Sequence, residues 1–177
     1  MKNCLIIAIP RSGSSNLLSS ISSAYNLKSV FEPFTNHSNI HSFYAKDSVC
    51  KVIAYRLPYK KLIEFSRLFE KIILLSRKDT VAAAESFVAM RYDNNSNSKL
   101  VWNEVSKDNS IRIPYYIKEV TNWKSIISKL SIDLNLPIDY YEELYSNKKL
   151  SDSSINLDLK YLEENRKLRG NKGIYLI

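Results

Sequence analysis

Cys4-Leu5-Ile6-Ile7-Ala8-Ile9-Pro10-Arg11-Ser12-Gly13-Ser14-Ser15-Asn16-Leu17 decides the fold class. Its first six residues are continuously apolar and stop at Pro10, the pattern of a short strand buried on both faces of a parallel sheet. A polar turn, Arg11 to Ser14, follows at once. From Ser15 to about Tyr25 the apolar residues Leu17, Leu18 and Ile21 recur at helical spacing, so the unit is strand, tight turn, helix.

Outward from this unit, Val49 to Tyr55 has the composition of a second buried strand, Pro58 to Phe69 of a helix and Ile72 to Leu75 of a third strand. Asp79 is placed to cap a helix running to about Met90. The alternation predicts one α/β domain over residues 1–177, P-loop-like, with a mostly parallel central sheet flanked by helices. Tyr92 to Asn109 is rich in Asn and Ser and predicts a mobile loop or lid over a substrate cleft. From Ile117 onward, Val120, Trp123, Ile127 and Leu130 fall at three- and four-residue steps, an amphipathic helix. Leu136 to Tyr140 predicts a further strand and Leu157 to Leu168 a last helix.

Bulk properties narrow the function classes. The 177 residues, 45% of them hydrophobic, suffice for one substantial core and not for two comfortable domains. Lysine and arginine outnumber aspartate and glutamate by 26 to 18, a formal charge of +8, which suits a polyanionic ligand or, equally, a solvated lysine-rich surface. The basic residues form no long run, which argues against nucleic acid as partner. Cys4 and Cys50 show no CxxC or Cys/His spacing, so neither a disulfide framework nor structural zinc is indicated, and a reducing, cytoplasmic compartment is the expectation. The apolar run before Pro10 is too short for a signal peptide core, and no stretch approaches the roughly 20 apolar residues of a membrane span.

The turn after the first strand lies where an α/β fold binds phosphate, with free backbone N–H groups and the positive end of a helix dipole. Gly13 allows close approach of the backbone, and Ser12, Ser14, Ser15 and Asn16 add polar side chains. An NTP-hydrolysing loop reads GxxxxGK[ST]; with Gly13 as its second glycine, Ser14 replaces the lysine, which argues against an ATPase or kinase. A positive side chain stands instead at Arg11.

Pro10 to Ser15 resembles the P-[KR]-[ST]-G-[ST]-[ST] loop of the PAPS-dependent sulfotransferases, which binds the 5'-phosphosulfate directly after the first strand. A second motif, Leu74-Leu75-Ser76-Arg77-Lys78-Asp79-Thr80-Val81-Ala82-Ala83-Ala84-Glu85-Ser86-Phe87, resembles the family's 3'-phosphate site. Arg77 can fork two donors onto a phosphate, and Ser86 adds a hydroxyl from the helix face. The nine-residue spacing is closest to the bacterial carbohydrate sulfotransferases, R-[RK]-D-x-x-A-x-A-x-S, and leaves open whether Arg77 or Lys78 meets the phosphate. The likeness covers Met1 to about Met90 well and the remainder in patches.

The resemblance implies a sulfuryl transfer from PAPS to an acceptor hydroxyl, of a carbohydrate or glycolipid by preference, with PAP as product. Arg11 is then suited to neutralise charge growing on the leaving oxygen. Val30-Phe31-Glu32-Pro33-Phe34 resembles the E-P segment on the acceptor side in carbohydrate enzymes, which makes Glu32 the candidate base, a carboxylate whose pKa a desolvated cleft can raise. The cytosolic enzymes place a histidine in K-T-H-L-P; here Ala54-Tyr55-Arg56-Leu57-Pro58 carries Arg56 at that position, open to an acidic acceptor or the sulfuryl oxygens. His37 and His41, in a polar loop, are the alternative bases. Tyr141-Glu142-Glu143-Leu144 looks like the family's structural Y-E-[DE]-L, and Arg169 to Gly173 like part of its nucleotide-covering R-K-G-x-x-G loop. No metal is implied, and EDTA is expected to leave turnover intact. A P-loop nucleotide or nucleoside kinase, and an inactive PAP- or nucleotide-binding module, are the competing readings.

Overall fold

The computed structural model describes residues 2–33, 47–92 and 112–145. Its strands are β1 (Cys4–Ala8), β2 (Lys28–Phe31), β3 (Ser48–Ile53), β4 (Lys71–Ser76) and β5 (Ile138–Tyr140). Its helices are α1 (Ser14–Tyr25), α2 (Tyr59–Ser66), α3 (Thr80–Tyr92), α4 (Arg112–Asp133) and the single turn α5 (Tyr141–Leu144). The predicted α/β class is the one observed: among the described residues the strands form one sheet in the order β2-β3-β1-β4-β5, and every pairing is parallel.

Alternation along the strands divides the core between the two faces. Leu5, Ile7, Cys50, Val52, Ile72 and Leu74 turn toward residues of α2, α3 and α4, among them Leu62, Phe65, Ala83, Phe87, Val120 and Trp123. Cys4, Ile6, Ala8, Val49, Ile73 and Leu75 turn the other way, toward Leu17, Leu18 and Ile21 of α1 and Tyr145. Each central strand is therefore apolar at successive positions because both its faces are covered. Trp123 is core, as its place on the amphipathic helix implies.

Several boundaries differ from the expectation for identifiable reasons. The strand expected over Val49 to Tyr55 ends at Ile53, and Ala54–Arg56 form a 3₁₀ turn. The next helix is Tyr59–Ser66, shorter at both ends than Pro58 to Phe69, since Pro58 stands outside it in extended geometry. The amphipathic helix starts at Arg112, five residues before Ile117. Pro114 does not prevent this, because first-turn N–H groups have no helical acceptor to lose. The strand expected from Leu136 shortens to Ile138–Tyr140.

Strand β2 has no counterpart in the sequence reading. Its four residues, Lys28-Ser29-Val30-Phe31, are largely exposed and carry no apolar run, and an edge strand needs only its neighbour's backbone. The predicted cap of α3 is present: Asp79 Oδ1 accepts the Ala82 N–H at 2.9 Å. Most of the loop expected over Tyr92 to Asn109, the helix over Leu157 to Leu168, the Arg169 loop, His37 and His41 lie outside the described residues. No helix among the described residues is long and apolar enough to cross a membrane.

The strand order also creates the site. The chain passes from β1 to β2 and β3 on one side and then crosses to β4 on the other, so β1 is flanked by strands whose connections leave in opposite directions. Such a switch point opens a crevice at the carboxyl ends of the strands.

Candidate functional site

A cleft of about 520 Å³ occupies that crevice, a volume in the range of small-molecule sites. The loop after β1, the end of β3, Glu32 after β2 and Arg77 after β4 all line it. Residues that the sequence separates by up to 80 positions, Pro10 and Met90, thus share one cavity.

The loop reaches its shape through two left-handed residues, Arg11 (φ 60) and Gly13 (φ 75). Gly13 is the N-cap of α1, no side chain caps that helix, and its first turn holds no acidic residue. The helix therefore begins with donors and a positive dipole end facing the cleft. Ser14, Ser15 and Asn16 line the cavity with Arg11 and Gly13, as expected. Ser12 is different: it is fully buried, its hydroxyl donates to Ile9 O at 2.7 Å, and its side chain holds the turn closed.

Arg11 Nε donates to Ser86 Oγ at 2.8 Å, so a single hydrogen bond joins the two sequence motifs. Arg77 Nη1 donates to the Arg11 carbonyl at 3.4 Å, and its guanidinium lies over the Tyr141 ring at 4.8 Å. Burial and then the Arg77 charge hold the Arg11 guanidinium below its ordinary pKa. Two arginines crowded into a cleft repel each other until an anion separates their charges. Of the two basic residues after β4, Arg77 lines the cleft, whereas Lys78 Nζ turns to Glu143 Oε1 at 2.8 Å.

The other end of the cleft holds Glu32, in left-handed geometry (φ 43) where the chain leaves β2. Its side chain is 18% exposed and meets two cations, Lys51 Nζ at 3.2 Å and Arg56 Nε at 3.9 Å. Arg56 is half exposed and Tyr55 supports it, ring to guanidinium 5.3 Å. Tyr55 in turn stacks on Trp123 at 4.8 Å, which ties this part of the cleft to the core.

Lys51 is the functional residue that sequence reasoning missed. It lies mid-strand in β3, 3% exposed, on the α1 side of the sheet, paired in register with Ile6 and with Phe31. Its amine emerges beside the loop after β1, donating to Ser15 Oγ at 3.2 Å and standing 3.5 Å from the Phe31 ring centre. The signal was a lysine inside an otherwise apolar buried strand, Ser48-Val49-Cys50-Lys51-Val52-Ile53, where a charge persists only with a partner or a use. Burial lowers the Lys51 pKa from 10.5, against the opposing pull of Glu32.

That shift has a measurable sign. Between the lowered value and 10.5 the unfolded chain binds more protons at this lysine than the folded protein does, so its contribution to stability grows as pH rises. Comparing melting temperatures of the wild type and Lys51→Met from pH 7 upward should show the wild type gaining on the variant toward pH 10. A constant difference would mean that Lys51 titrates alike in both states.

Among the described residues no group of three or more His, Cys, Asp or Glu is arranged to hold a metal ion. No protein-family model matches the chain, and no curated protein matches it at a significant level.

Proposed function

We propose that the chain is a PAPS-dependent sulfotransferase acting on an acceptor hydroxyl, with a carbohydrate or glycolipid as the favoured acceptor. The observation that carries this reading is the 2.8 Å bond from Arg11 to Ser86, which joins the phosphate loop to the Arg77 helix at one end of a cleft whose other end holds Glu32. Arg77 supports the reading as well: its Nε is buried beside the Glu142 carboxylate, which at 3.7 Å is too distant for a hydrogen bond, and its Nη1 reaches the Arg11 carbonyl on the loop side. An Nη edge turned to this loop suits a site that receives an anion.

In this reading the α1 N-terminus with Ser14, Ser15 and Asn16 holds the 5'-phosphosulfate, and Arg77 with Ser86 holds the 3'-phosphate. PAPS supplies the sulfuryl group. The acceptor oxygen forms the new O–S bond, the bond from sulfur to the 5'-phosphate oxygen breaks, and that oxygen leaves with the electron pair. Glu32 takes the acceptor proton. Lys51 lies between the base and the loop, in contact with both, so its charge serves the region where negative charge is redistributed. Arg11 offers its guanidinium to the same nucleotide from the Ser86 side. Phe31, Met90 and Arg56, each about half exposed, also line the cleft and give its rim apolar and cationic character.

Thermal unfolding with PAP, 5'-AMP and ADP-magnesium at equal concentration tests the proposal. At about 100 times Kd a ligand adds roughly 2.7 kcal/mol, which for a chain of this size raises Tm by about 5 to 10 °C. The expected result is a shift with PAP that Arg77→Ala or Ser86→Ala abolishes. A shift with ADP-magnesium alone would replace the sulfotransferase by a kinase. Binding of PAP without turnover of PAPS on any hydroxyl acceptor would leave a nucleotide-binding module.

A further inference from the structure

The turn after β5 reaches both anion loops at once. Glu142 accepts the backbone N–H of Lys78 at 2.8 Å through Oε2 and that of Asp79 at 3.1 Å through Oε1, while Oε1 stands 3.7 Å from Arg77 Nε. One residue earlier, the Tyr141 ring supports the Arg77 guanidinium. Three residues later, Tyr145 Oη donates to Gly13 O at 3.0 Å. A five-residue turn thus grips the phosphate loop and the Arg77 loop together.

Glu142 is not needed to start α3, because Asp79 already caps that helix through Ala82 N–H. Its three contacts instead converge on the residue that carries the guanidinium and the two that follow it. An unrestrained arginine has many rotamers to lose on binding an anion, so restraining it beforehand favours binding. The carboxylate meets the Nε edge of Arg77 and leaves the Nη edge toward the cleft, where Nη1 already reaches the Arg11 carbonyl.

We propose that Glu142 is the positioning residue of the 3'-phosphate subsite, holding Arg77 so that the protein selects nucleotides carrying a 3'-phosphate over those without one. This rests on the sulfotransferase reading and adds a specificity determinant from a segment that resembled a purely structural element.

The test is calorimetric titration of the full chain with PAP and with 5'-AMP, in the wild type, Glu142→Ala, Glu142→Gln and Glu143→Gln. Glu142→Ala is expected to weaken PAP about tenfold or more and 5'-AMP by less than about threefold, since the lost restraint acts through a charge-assisted contact to one phosphate. Glu142→Gln keeps one amide oxygen for a backbone N–H and falls between the two. Glu143→Gln removes the same charge from a neighbour that pairs with Lys78 and leaves the PAP to 5'-AMP ratio unchanged. If Glu142→Ala does not fold, Glu142→Gln decides. Equal losses for both nucleotides, or an unaltered ratio, would overturn the positioning role while the wild type still prefers PAP. A wild type without that preference would overturn the sulfotransferase reading and this role with it.

Discussion

Under the proposed function, Glu32→Gln is expected to lower sulfuryl-transfer turnover by about 10² to 10⁴-fold, the usual worth of a general base, and to leave the expected PAP-induced rise in Tm intact. The substitution keeps the shape of the side chain and removes its capacity to take the acceptor proton. In the proposed reading Arg77, Ser86 and the start of α1 bind the nucleotide while Glu32 meets the acceptor hydroxyl, so binding and chemistry should separate. Lys51→Met provides the matching experiment: with the amine gone, Glu32 keeps Arg56 at 3.9 Å but loses its 3.2 Å partner, and Ser15 loses its donor. Turnover should fall in this variant as well, by about 10² or more on the scale of a lost charge-stabilising donor. The two losses should combine to less than their product, because side chains in direct contact act as a unit. Single-turnover rates at saturating PAPS, with nucleotide binding measured separately, check both statements. A Glu32→Gln enzyme that keeps its rate would move the base elsewhere, with His37 and His41 the next residues to replace.

Gly13→Ala is expected to be the most damaging change in the phosphate loop. Two independent costs meet at this position. The backbone is left-handed at φ 75, where an L side chain costs roughly 1 to 2 kcal/mol. An added Cβ would also stand 2.7 Å from Tyr145 Cε2 and 3.1 Å from Tyr141 Cδ2, inside a packed contact where overpacking typically costs about 1 to 3 kcal/mol. Together they predict a loss of about 2 to 5 kcal/mol of stability and no detectable stabilisation by PAP. Tyr145→Ala placed in the Gly13→Ala background removes the 2.7 Å contact but leaves the Tyr141 contact, the backbone strain and a cavity where a buried ring stood, so PAP binding should stay lost. Full tolerance of Gly13→Ala by both measures would show that neither the close approach nor the left-handed turn matters to the loop.

Much of the site was legible because the relevant information is local. A continuous apolar run ending at Pro10 and followed by Arg-Ser-Gly-Ser identifies strand, tight turn and helix without reference to the rest of the chain. Arg77 and Ser86 are likewise set by one strand end and one helix, with Asp79 marking the boundary. Lys51 was not legible in the same way. Its residue type breaks the strand pattern, but its use depends on which side of the sheet it faces and on the N-terminus of α1 lying there. Strand β2 was missed for a related reason, since its exposed residues acquire strand geometry only by pairing with β3.

By itself, then, the amino-acid order determined the α/β class, the strand, turn and helix around Gly13 and the place of Arg77 at a strand end, because each is encoded within a dozen consecutive residues through hydrophobic period, turn chemistry and helix capping. Only the tertiary structure decided that Arg77 and not Lys78 faces the cleft, that Ser12 turns inward, and that Lys51 pairs with Glu32 beside Ser15. It also brought Glu142 onto the backbone after Arg77. Those assignments depend on the parallel order β2-β3-β1-β4-β5, which carries side chains from distant segments to one edge of the sheet, and contacts across that distance have no signature in local sequence.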